Sequence, residues 1–187
     1  MPSATVPWDE SDRPSAPAES RQATRYTQAG RQASAALVHA HDVLREELNK
    51  LRNLIIELRN GELPVGQARS ALREMAMRQI NWSTGAYCET YCWRLTRHHT
   101  GEDDSVFPHL RAREPALGPV LDRLSEEHAA IHGVLDAVDQ ALVGIVGGET
   151  RPSHLQEIVD LLGEALLSHL TYEERELIGP LNRHGFY

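Results

Sequence analysis

Three pairs of metal-binding side chains recur at one spacing, and that spacing restricts the fold more than any other feature of the chain. His98 and Glu102, His128 and His132, and His169 and Glu173 each stand four residues apart. On a helix, residues four apart share a face, one turn above the other. Each pair is also in phase with a run of apolar residues. The first run is Cys88, Tyr91 or Cys92, Leu95, His98, Glu102 and Val106. The second is Leu121, Leu124, His128, Ile131, Leu135, Val138 and Leu142, and the third is Leu155, Ile158, Leu162, Leu166, His169, Glu173 and Leu177. A fourth run, Leu37, His41, Leu44, Leu48, Leu51, Ile55 and Leu58, carries one histidine. Steps of three and four make the seam of a helical bundle.

Stop signals bound these runs. Asn60-Gly61 ends a helix expected over about 29–59, and Pro64 opens a shorter one to about Gln79. A break follows at 81–85. The third helix, about 85–106, is expected to end or bend at Pro108, because proline disfavours helical geometry at the residue before it. Gly147-Gly148 stops a helix begun near Val120, and Gly179-Pro180 is expected to stop one begun at Pro152. Nothing alternates with the period of a strand. The expected fold is all-α, an antiparallel four-helix bundle over 29–187 with one additional short helix. Residues 1–28, rich in Pro, Ser, Ala and charge, read as a disordered, flexible N-terminal tail from which only Trp8 is a candidate to dock.

A core that takes in five imidazoles and two carboxylates has to compensate them, since such groups are costly to bury unless paired or bound to metal. Metal coordination is the simplest reason. Seven ligands are too many for one ion but suit two, with His41, His98, Glu102, His128, His132, His169 and Glu173 as the set and the carboxylates as bridges. Mixed imidazole and carboxylate ligation suits iron, with zinc or manganese as alternatives. Carboxylate-rich di-iron bundles use four Glu and two His. This poorer carboxylate set favours ligand binding or mild redox steps over attack on strong C–H bonds.

Composition narrows the partners. A formal charge of −8 and no basic run argue against nucleic acid. No stretch approaches the roughly 18 apolar residues of a membrane span, and the first residues lack the pattern of a signal peptide. A cytoplasmic protein is expected, and assembly into a homo-oligomer is compatible with the sequence. Cys88 and Cys92 are too few for a disulfide framework and read as small buried hydrophobes.

His41, H-x-x-x-E at His98 and Glu102, H-x-x-x-H at His128 and His132, and H-x-x-x-E at His169 and Glu173 resemble the hemerythrin-like (HHE cation-binding) family over about residues 30–180. The resemblance implies two iron ions with a bridging oxo or hydroxo group inside the bundle. His128, His132 and His169 would hold one iron, His41 and His98 the other, with Glu102 and Glu173 bridging. The second iron would keep an open position for O2, peroxide or NO. Oxygen-carrying members end in H-x-x-x-x-D and lack a helix at 64–79. Those departures point to sensing or scavenging, with an oxygenase or oxidase acting on a small organic substrate as the alternative. His99, turned about 100° from His98, falls off the seam and is expected behind the ligands or at the surface. Asp103 and Asp104 read as a solvated face from which either can orient an imidazole. Tyr91 and Tyr172 are candidates to donate a proton or hydrogen bond to bound oxygen.

Overall fold

A computed structural model describes residues 6–21, 26–60 and 86–186; of 86–92, 146 and 147 it describes the backbone alone. The helix expected at 64–79 lies outside the described residues. After a 3-10 turn at Glu10–Asp12, the helices are α1 (Ala18–Arg21), α2 (Gln28–Asn60), α3 (Ala86–Gly101), a π turn (Glu102–Val106), α4 (Phe107–Arg113), α5 (Gly118–Gly147) and α6 (Pro152–His184). A 3-10 turn at Pro115–Leu117 joins α4 to α5. No strand occurs among the described residues.

The four long segments pack in a ring: α2 on α6, α6 on α5, α5 on α3 and α3 on α2. Ser34 bonds to Asn182 near the start of α2, while Arg52 bonds to the Asp160 carbonyl near its end, so α2 and α6 are antiparallel. Two apolar clusters fill the ring. One holds Leu44, Leu48, Leu95, Ile131, Leu166 and Leu170, and the other Leu37, Phe107, Leu124, Tyr172 and Leu177. The expected ligands lie in the layer between them. His41 separates Leu37 from Leu44 along α2, and His128 separates Leu124 from Ile131 along α5. Each fully buried leucine contributes roughly 1.5–3 kcal/mol, which offsets the cost of the polar layer.

Three expectations are corrected here. Pro108 does not end its helix. Proline has no N–H for the carbonyl four residues back, and its ring crowds that carbonyl. The chain widens by one residue just before it, with the Phe107 N–H reaching the Glu102 carbonyl, and then continues to Arg113. This π turn shifts the phase, so Phe107 is buried where Val106 was expected. Pro180 likewise sits inside α6, which runs on to His184 and stops at Gly185, whose φ is 66°. On the same helix Val159 takes the buried place given to Ile158.

The third correction concerns the supposed tail. Residues 6–21 form a strap against the bundle. Arg13 forms two hydrogen bonds to Glu127, the Ala16 N–H donates to Glu176, and Tyr172 donates to the Pro14 carbonyl. Trp8 packs on the first apolar cluster. A composition poor in apolar residues gave no sign of this, because specific polar contacts hold the strap.

Gly30 marks a close approach of α2 to α6: a Cβ there would overlap the Asn182 backbone. Gly30→Ala is expected to destabilise the fold by about 1–3 kcal/mol, the usual range for overpacking, measured by denaturant melts. An unchanged midpoint would refute the close crossing.

Candidate metal centre

On α3 the reference direction is Leu95, fully buried. At 100° per residue, His98 lies about 60° to one side of it, His99 about 40° to the other and Glu102 about 20° away. All three therefore face the interior. The expectation that His99 stands off the seam is overturned: its exposure is 0%. A single apolar seam could not separate adjacent residues that straddle it.

The donor atoms fall into two groups. His41, His98, Glu102 and Glu173 bring four donor atoms within 4.8 Å of one another. His99, His128 and His169 do the same. His132, placed in the second set by sequence, is only half-buried and lies behind His99, with its Nε2 3.3 Å from His99 Nδ1. The two carboxylates span the groups. Glu102 Oε1 is 3.2 Å from His98 Nε2, and its Oε2 is 3.6 Å from His128 Nε2. Glu173 Oε2 is 3.3 Å from His41 Nε2 and 3.7 Å from His169 Nε2.

Polar atoms in the layer obey a pattern. His41 Nδ1 is 2.8 Å from Glu174, His128 Nδ1 3.0 Å from Asp103, and His169 Nδ1 3.1 Å from Glu127. Each Nδ1 is thus assigned a proton, and each Nε2 carries the lone pair. The carboxylates are themselves held: Glu174 by Arg45, Asp103 by Ser125, and Glu127 by Arg13 and Arg123. Facing inward, the Nε2 atoms of His41, His98, His99, His128 and His169 and all four oxygens of Glu102 and Glu173 are buried without a hydrogen-bond partner. Nine converging unpartnered lone-pair atoms are far from the usual satisfaction of buried groups. The donor set fits cations.

Electrostatics agree. Burial pushes the His98 imidazole down to about 4 and that of His99 well below its usual value, so both rings are neutral. Burial, joined by the nearby Glu173 charge, raises Glu102 well above the carboxylate range. Burial would raise Glu173 as well, but its contact with His41 outweighs that and holds it low. His41 is the counterpart: burial lowers it, yet Glu173 and Glu174 bring it above its usual value.

Asp103 takes the orienting part that the sequence left open. Tyr172 points away, its hydroxyl committed to the Pro14 carbonyl and its pKa raised by burial, so it does not serve bound oxygen. Cys88, Tyr91 and Cys92 lie on α3 with side chains outside the described residues. Glu127 and Arg13 were missed. Glu127 is 1% exposed, next to His128 in sequence and directed at His169 instead. Burial alone would raise it, but His169 and Arg13 hold it below its usual value. Arg13→Ala should weaken metal binding by roughly 10- to 100-fold, the usual effect of losing a group behind a ligand, with Arg13→Lys partly restoring it. Chelator competition measures this, and unchanged affinity in Arg13→Ala would refute the link from strap to site.

The family described as the hemerythrin HHE cation-binding domain matches residues 32–181. No curated protein and no solved structure gave a match. No described helix is long and apolar enough to cross a membrane.

Proposed function

Since the chain belongs to the hemerythrin HHE cation-binding family, we propose that it is a non-haem di-iron protein that binds O2 or a related small oxidant, peroxide or NO, for sensing or scavenging. The observation that carries this is the pair of spanning carboxylates. Glu102 and Glu173 each face one imidazole of either donor group, the arrangement two bridged ions require. His41 and His98 serve one ion, and His128 and His169 the other together with a third imidazole. Two iron ions with an oxo or hydroxo bridge would supply reversible electron exchange with the oxidant. The chain's own part is to fix the imidazole tautomers through Glu174, Asp103 and Glu127, to hold the carboxylates between the groups, and to keep water out with the two apolar clusters.

Open coordination falls to the group with two imidazoles, and that side meets a cavity. Its volume is about 450 Å3, and Ala33, Ala36, Ala40 and Gly101 make room for it beside His98 and Glu102. Such a volume lies within the range of small-molecule sites, roughly 300–1,000 Å3, and far exceeds what O2 needs. It favours a second reading, an oxygenase or oxidase acting on a small apolar organic molecule.

Anaerobic reduction of the iron-loaded protein followed by O2 addition distinguishes these. A stable new absorption band supports reversible binding. Rapid return to the oxidised spectrum supports scavenging, and acceleration of that return by small apolar compounds supports the second reading. No spectral response to O2, peroxide or NO would sink all three.

A further inference from the structure

We infer that His99, rather than His132, supplies the third imidazole to the ion held by His128 and His169. The inference rests on the two-ion reading above. Its ground is a rule that three of the other inward imidazoles share. His41, His128 and His169 each have Nδ1 on a partner and Nε2 buried and bare. His99 follows that rule: its Nδ1 meets His132 at 3.3 Å and its Nε2 is buried without a partner. His132 breaks it, being half-buried with its Nε2 engaged on His99.

Ring positions agree. His99 stacks on His128 at 3.9 Å between centroids and stands edgewise to His169 at 5.4 Å. Donor atoms of these three lie within 4.8 Å of one another, and none of His132 belongs to that group. Two neutral imidazoles in contact require one donor and one acceptor. With Nε2 of His99 left for the ion, its Nδ1–H donates to His132 Nε2, as the other rings donate to carboxylates. His132 is then a positioning residue. The consecutive residues His98 and His99 fork around Glu102 and serve one ion each.

The test uses the full chain loaded with iron. His99→Ala and His132→Ala are compared for iron per chain and, after cobalt(II) substitution, for visible ligand-field bands, which report ligand number. Circular dichroism checks that each variant is folded, and His99→Gln replaces His99→Ala if the latter is not. The expected result is loss of one ion in the His99 variant and retention of both in His132→Ala, whose affinity falls by roughly 10- to 100-fold. Retention of both ions by the His99 variant overturns the inference, as does equal loss in both. A wild-type chain with a single iron would overturn the two-ion reading instead. The choice between His99 and His132 would still be read from which variant loses that ion.

Discussion

Stripping the metal should lower the melting temperature by about 10 °C. A ligand at 1,000 times its dissociation constant adds about 4 kcal/mol to the folded state, and each kcal/mol moves a chain of this size by about 2–4 °C. The cause lies in the layer between the apolar clusters. Without ions, the nine inward lone-pair atoms lose their partners, and Glu102 and Glu173 repel each other. The difference should shrink as pH falls. His41 and Glu102 both have raised pKa values, so each holds its proton to higher pH than an ordinary histidine or glutamate. A cation must displace those protons, and its affinity drops as acidity increases. Calorimetric scans of chelated and loaded protein at several pH values measure both effects. Equal melting points near neutral pH would show that the layer is no metal site.

Glu173→Ala should abolish binding of both ions, a larger loss than removing any one imidazole. Glu173 is fully buried on α6 and faces His41 on one side and His169 on the other. Its removal takes an anionic ligand from each group at once. Glu173→Gln keeps the shape and a neutral oxygen but not the charge, so it should retain partial occupancy. Metal analysis after dialysis decides, with circular dichroism as the control for folding. Two tightly bound ions in Glu173→Ala would remove Glu173 from the bridge.

The four helical seams were legible in sequence because burial repeats every three or four residues, and His41, Glu102, His128, His169 and Glu173 sit at buried positions in phase with it. Three things were not legible. His99 was hidden because phase alone assigns one inward residue per turn, whereas the layer here is wide enough for two side chains about 100° apart. The run past Pro108 was hidden because proline permits a break, a bend or a widened turn, and the surrounding packing selects among them. The strap was hidden because its anchors are pairs, Arg13 with Glu127 and Ala16 with Glu176. No periodicity announces a pair whose members lie more than a hundred residues apart. The one available clue was that Glu127 stands three residues after Leu124, a spacing that places a carboxylate near the interior, where it needs a cation or a proton.

The strap also sets an order of events during synthesis. A chain emerges from the ribosome with its earliest residues first. Arg13 is made long before Glu127, and Ala16 long before Glu176, yet the bonds that fasten each to the bundle are made to the later residue. The strap segment must therefore wait, unanchored, until α5 and α6 have appeared. The same holds for the ion-binding layer, which receives His169 and Glu173 from the last helix. A nascent chain stalled before Pro152 has His41, His98, His99, Glu102 and His128 but lacks His169 and Glu173, and with Glu173 one of the two spanning carboxylates. Metal capture is thus a late event, completed only once α6 has emerged.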